Sequence, residues 1–276
     1  MKKAIVAIIL IDLSFLLLLI VSGAVTGDLR WAIGKIAYIL PIGVGLFMLR
    51  RCGLLRESPS LFVTKDKAIS SVALFAPTML VIIAVSALTT LLLSLLGKTN
   101  QTDVSGNLFY ELFSHALIPA VLEELLFRYI PIKLLSPYSR RGAILVSALL
   151  FSLVHLNLFQ IPYALLAGVV FGFLTVASGS ILPSMLLHLI NNAVSVVWMR
   201  NPDVAPYVFI AVNFVLCLPS AVCILKRREQ YREDVVRAFS GERVGFSPEL
   251  LVMAIAYLSD LLIIGIFYFV SQITFK

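Results

Sequence analysis

The sequence predicts an all-α, polytopic membrane helix bundle, and three observations predict it. Of the 276 residues, 60% are hydrophobic and only 13% are charged, against about 45–50% and about 25% in soluble domains. The mean hydropathy is +1.01. The cations behind the net charge of +7 lie in loops between long apolar runs, so the charge does not read as a nucleic-acid footprint, which needs a basic face. Cys52, Cys217 and Cys223 contain no Cys-x-x-Cys pair, which excludes a disulfide framework and gives no redox or metal motif.

A spanning helix needs roughly 20 mostly apolar residues. Nine runs approach or meet this: about 4–25, 31–49, 70–97, 108–132, 142–159, 160–178, 181–199, 206–225 and 249–274. The fifth and sixth come from one apolar stretch split near Gln160-Ile161-Pro162, and a count of eight stays open. The N-terminus imitates a signal peptide, but its run is longer than an h-region of about 7–15 residues and carries Asp12, which favours a retained span. The chain 1–276 reads as a single integral membrane domain with a core at 108–199. Segments 50–69 and 226–247 are each polar enough for a loop or surface helix. The second, a cytoplasmic charged loop in this scheme, has six cations and could instead be a helix touching anionic lipid. With the N-terminus inside, 16 of the 22 Lys and Arg fall on the cytoplasmic side, so the positive-inside rule gives N-in/C-out.

Ionisable groups inside a bilayer are costly, about 2.5–3.5 kcal/mol each on insertion scales, and call for a reason. Here they are Asp12, Lys35, Glu123, Glu124, Arg128 and Asp260, with His155 and His188. Lys35 sits near a boundary and can snorkel; Asp12 and Asp260 fit protonated, paired or path-lining roles equally. Glu124 and Arg128, at i and i+4 with the acid first, have the favoured order for a helical ion pair. Glu123 points about 100° away and has no such partner, which leaves it available for chemistry; the alternative is one buried network of both acids with Arg128. Phe151 and His155 share a face at i, i+4, as do His188 and Asn192. Taken singly, each His fits a packed histidine bonded to a backbone carbonyl. Counted from the cytoplasmic ends, however, Glu123, His155, His188 and Asn192 lie roughly 15, 20, 11 and 17 Å deep. Three helices thus bring a carboxylate, two imidazoles and an amide near one level. His115, one turn after Glu111, reads as part of an interfacial pair, and Pro119 is expected to kink its helix.

This set supports no acyl-enzyme scheme, since no Ser or Cys lies in a nucleophile motif. Water is the candidate nucleophile: a carboxylate and an imidazole can deprotonate it, while a second imidazole and an amide donate to an oxyanion. A zinc version using Glu123, His155 and His188 stays open, although His-Glu-x-x-His is absent.

In order along separate apolar helices, Glu-Glu-x-x-x-Arg at Glu123, Glu124 and Arg128, Phe-x-x-x-His at Phe151 and His155, and His-x-x-x-Asn at His188 and Asn192 resemble the CAAX protease and bacteriocin-processing (CPBP, or Abi) intramembrane proteases, relatives of the CAAX prenyl endopeptidase. The resemblance covers about 115–200. It implies that Glu123 and His155 activate water, His188 and Asn192 form the oxyanion hole, and Glu124 with Arg128 braces the site. It also implies a metal-free, glutamate-dependent endopeptidase without a cofactor, with zinc as the alternative. Its partners would be the lipid bilayer and a membrane-associated peptide or protein substrate, in a prokaryotic plasma membrane. Some relatives cleave prenylated Cys-a-a-X tails, whereas many bacterial ones are tied to bacteriocin immunity or regulate partners without evident cleavage. Two other readings compete: a non-catalytic immunity or scaffold protein of the same family, and a proton-coupled transporter, weakened by the lack of repeat halves.

Overall fold

The computed structural model describes residues 38–39, 41–47, 49–50, 53–56, 59–98, 106–137, 139–155 and 157–239. The expected first and last spans, about half of the second, Asp12, Lys35, Cys52 and Asp260 lie outside them. So do the segments on which the nine-span count and the N-in/C-out orientation depend.

The described chain is helical almost throughout. Residues 38–39, 41–47 and 49–50 are helical. Helix α1, Lys65–Ala73, follows an extended Thr64 and carries Asp66 in its first turn, where a carboxylate suits the positive helix end. Helix α2, Phe75–Leu95, ends with Gly97 at φ 72. Gly97 N donates to Ser94 O and Lys98 N to Leu93 O, both at 2.9 Å, the pairing that closes a helix when a glycine supplies the left-handed residue.

Helix α3 covers 108–135 in five consecutive pieces: α at Leu108–Glu111, π at Leu112–Leu117, α at Ile118–Glu124, π at Leu125–Tyr129 and α at Ile130–Leu135. Each π stretch runs up to two residues short of a proline, Pro119 or Pro131. Proline lacks the N–H and crowds the carbonyl four residues back, and a widened turn accommodates both. The kink expected at Pro119 is therefore such a widened turn, and it has a second, unexpected counterpart at Pro131. The Glu123–Leu135 half of α3 is almost wholly buried.

Helix α4, Arg140–Leu153, starts at Ser139, whose hydroxyl accepts from Gly142 N at 2.9 Å. Helix α5, Ile161–Ser178, begins with Pro162 in its first turn and ends at Gly179, φ 68. Helix α6 is Leu182–Arg200, α7 is Ala205–Lys226 and α8 is Arg228–Phe239. The boundary read at Gln160-Ile161-Pro162 coincides with the start of α5. The α1–α2 stretch 65–95, α5, α6 and α7 are each long and apolar enough to cross a membrane. The expected span 142–159 is shorter than drawn: α4 has 14 residues, about 21 Å of helix. Its chain leaves the helix because Asn157 caps the next turn, accepting from Gln160 N and Ile161 N through its carbonyl and from Phe159 N through its side chain.

Two regions outside the expected spans are also ordered into the bundle. Lys133, just past the expected span 108–132, is buried in α3 and donates to the carbonyls of Leu54 and Leu55. Segment 226–247, drawn as a charged loop, is helix as far as Phe239. Helix α8 is docked: Asp234 takes Lys67 at 2.6 Å, Tyr231 donates to Ser70 O at 2.6 Å, and Phe239 stacks on Phe173. Enclosed in this way, the Tyr231 phenol is pushed up to about 12, chiefly by burial.

Helix α5 lies at the centre of the bundle, with α4, α6, α2 and α8 packed around it. Its closest approach is to α4. A Cβ on Gly168 would lie 2.8 Å from Ala148 Cα, and one on Gly172 would lie 3.2 Å from Ile144 Cγ2. Small residues at this spacing let two helices in a membrane pack backbone to backbone. Helix α3 closes against α4 and α6, which sets the polar motifs of three helices facing one another.

Candidate active site

Glu123 and Glu124 leave α3 in the last turn before the second π stretch. Glu124 and Arg128 are fully enclosed, and Glu123 is nearly so. Arg128 Nη1 stands 3.5 Å from Glu124 Oε1, so the expected i, i+4 pair is present. The shorter contact of Glu124, however, crosses to α6, where His188 Nδ1 lies 3.0 Å from Oε1. The nitrogens of Arg128 make no hydrogen bond among the described residues. Its guanidinium instead lies 3.8 Å over the centre of the Phe151 ring and 5.5 Å from that of Phe171, a cation–π arrangement that gains strength when desolvated.

Phe151 thus does more than space its motif. One face carries Arg128, and the ring meets both imidazoles edge-on, His155 at 5.0 Å and His188 at 5.3 Å. His188 is stacked on its other side by Phe171 at 5.6 Å. Between these rings its Nδ1 faces Glu124 and its Nε2 lies 3.7 Å from Glu123 Oε2. Glu123 is therefore not partnerless, as its own helix implied: Tyr38 also donates to its Oε1 at 2.9 Å. Just past the end of α4, His155 places Nδ1 2.8 Å from the carbonyl of Phe151. That contact requires the proton on Nδ1 and leaves the lone pair on Nε2. The packed-histidine geometry and an available base thus occur in one residue.

Glu123, His155, His188 and Asn192 all line one cavity of about 250 Å³, together with Asn191 and Tyr163. Asn191 Nδ2 donates to Asn192 Oδ1 at 3.3 Å, which commits that oxygen and leaves the Asn192 amide NH₂ as a donor. His115 also lines this cavity, and its Nδ1 pairs with Ser114 at 2.9 Å. It is not coupled to Glu111, which is buried and bound to Arg200 at 2.8 Å. The interfacial Glu111–His115 pair is thus replaced by an ion pair from α3 to α6, which helical spacing within α3 could not show.

Sequence reasoning missed Tyr38, Phe171 and Asn191. Asn191 stands beside Asn192 in an apolar helix, a signal that could have been used. Phe171 is one apolar residue among many and carried none. A zinc site of Glu123, His155 and His188 does not fit this geometry: among the described residues no three His, Cys, Asp or Glu side chains are arranged to hold a metal ion. Glu123 Oε1 already accepts from Tyr38, and His188 Nδ1 faces Glu124.

Residues 105–194 match the family model described as Rce1-like, type II CAAX prenyl endopeptidase Rce1-like. The likeness to that family is confined to this segment. No curated protein and no solved structure matches the chain. The Rce1-like segment contains all four cavity residues and their brace, from Glu123 on α3 to Asn192 on α6, whereas α7 and α8 lie beyond it.

Proposed function

We propose that this chain is an intramembrane endopeptidase that hydrolyses a peptide bond of a membrane-associated protein or peptide with a Glu- and His-activated water. The observation that carries the reading is the shared cavity: a carboxylate, two imidazoles and an amide reach it from three helices of a protease-family domain. Water held between Glu123 and His155 Nε2 attacks the scissile carbonyl carbon as Glu123 takes its proton. The carbonyl oxygen becomes an oxyanion and accepts from Asn192 Nδ2 and from His188 Nε2, His188 carrying a proton on each nitrogen. When the tetrahedral centre collapses, the C–N bond breaks and the proton on Glu123 passes to the departing amine. Glu124 holds Nδ1 of His188 and so fixes the ring direction, much as a buried carboxylate orients a catalytic histidine. Arg128 balances that carboxylate.

The test is cleavage of a membrane-anchored reporter peptide by the full chain in nanodiscs. Glu123→Gln is expected to lower the rate at least about 100-fold, the scale of general acid–base catalysis, while the thermal transition stays near that of the wild type. Exhaustive chelation is expected to leave the wild-type rate unchanged. Full activity of Glu123→Gln refutes the mechanism. Loss on chelation with recovery on Zn²⁺ replaces it with a metal-dependent one. A wild type that cleaves nothing yet confers bacteriocin resistance, with Glu123→Gln equally protective, establishes the non-catalytic alternative.

A further inference from the structure

At the other end of the same helices lies a second cavity, of about 610 Å³. Its wall is built from the end of α3, the start of α4, the end of α5, the start of α1 and the last turns of α8. Four cations line it, Lys67, Lys133, Arg140 and Arg237, and no carboxylate lines it among the described residues. Two of the four are held in place. Lys67 is paired with Asp234, and Lys133 donates to the Leu54 and Leu55 carbonyls. The other two are tied through one backbone: Arg140 Nη1 donates to the backbone carbonyl of Arg237 at 3.3 Å. Neither has a carboxylate partner among the described residues.

Like charges gathered at one wall repel, the more so where protein displaces water. Lys67 already has Asp234; Arg140 and Arg237, set beside these cations and without a carboxylate partner among the described residues, gain from an anion between them. The first turn of α4 adds backbone N–H groups and the positive end of a 14-residue helix. Arginine forks suit phosphate oxygens in particular. Leu54, Ile132 and Val176 add apolar surface beside the hydroxyls of Ser136, Thr175 and Ser178, a mixed wall that suits the glycerol and first methylenes of a lipid. Basic pockets between membrane helices are a known form of headgroup site.

We propose that this pocket binds a phosphate group, that of an anionic phospholipid headgroup, with Arg140 and Arg237 as its main ligands. The site is separate from the catalytic cavity and does not depend on the protease reading. It also assigns a task to α8, whose docking through Asp234 and Tyr231 carries Arg237 to the pocket.

The experiment places the full chain in phosphatidylcholine nanodiscs and titrates in phosphatidylglycerol, reading bound lipid by native mass spectrometry. A parallel arm titrates inorganic phosphate and reads thermal protection. The wild type is expected to retain phosphatidylglycerol over phosphatidylcholine saturably. R140Q/R237Q is expected to lose about 30-fold in affinity, from roughly one surface cation's attraction per arginine. R228Q/R232Q removes the same charge from the exposed face of α8, outside the pocket, and is expected to lose less than about twofold. Saturable protection by inorganic phosphate that R140Q/R237Q abolishes supports the same site with a soluble phosphate as its ligand. Equal losses in the two double variants show diffuse surface attraction and overturn the proposal, as does unchanged binding in R140Q/R237Q. Unfolding of R140Q/R237Q is handled by R140K/R237K, which keeps the charge but not the fork: it must bind more weakly than the wild type, and undiminished binding also overturns the assignment.

Discussion

Arg128 is enclosed on every side, with one carboxylate at 3.5 Å and two aromatic faces as its surroundings. Removing one partner of such a pair is worse than removing both, because the survivor keeps its desolvation penalty without compensation. Arg128→Met is therefore expected to lower stability by about 3–5 kcal/mol, and Glu124→Gln/Arg128→Met to recover most of that loss. Chemical denaturation in detergent micelles measures both; equal losses in the single and double variants would show that the pair is not coupled. At this scale much of the site was legible. An acid four residues before an arginine announced Glu124–Arg128, and the same geometry set Glu123 apart. What could not be read was anything crossing between helices. Periodicity reports which residues share a face, not which face a neighbour offers. The Glu124–His188 contact and the Tyr38 hydroxyl on Glu123 were accordingly invisible.

Among the elements, the α4–α5 pair sets the spacing on which the cavity depends. Gly168 leaves no room for a side chain, since an added Cβ meets backbone rather than a flexible tip. Gly168→Ala is expected to destabilise by about 1–3 kcal/mol through overpacking, whereas Gly43→Ala, with nothing within 4 Å of an added Cβ, serves as a control. Thermal unfolding in nanodiscs compares them, and equal transitions would mean that the two helices are not held by this contact. Element boundaries were read well wherever proline or glycine marks them, as at Gln160-Ile161-Pro162. They were read poorly where an apolar run continues past the end of a helix. The stretch 154–159 keeps the hydropathy of a span, yet Asn157 turns the chain by hydrogen bonds that hydropathy does not register. The π stretches of α3 follow the same pattern: Pro119 announces a disturbance, but a proline by itself does not say whether the turn bends or widens.

Over the whole molecule, one set of helices carries two polar sites at opposite ends. The candidate catalytic cavity is framed by α3 from Ser114 to Glu123, the end of α4 and the middle of α6. The basic pocket is framed by the other ends of α3, α4 and α5. The membrane character of the chain was readable from composition alone, because 60% apolar residues leave too little polar surface for a soluble fold of this size. The central claim is that Glu123, on α3, and His155, just past the end of α4, act as one unit on a single water. A double-mutant cycle on kcat/KM for reporter cleavage, using Glu123→Gln, His155→Ala and the two combined, tests it most directly. Residues that serve one step give non-additive losses, so each single variant is expected to lose nearly as much as the double. Losses that multiply would mean that the two side chains contribute independently, and would contradict the shared site.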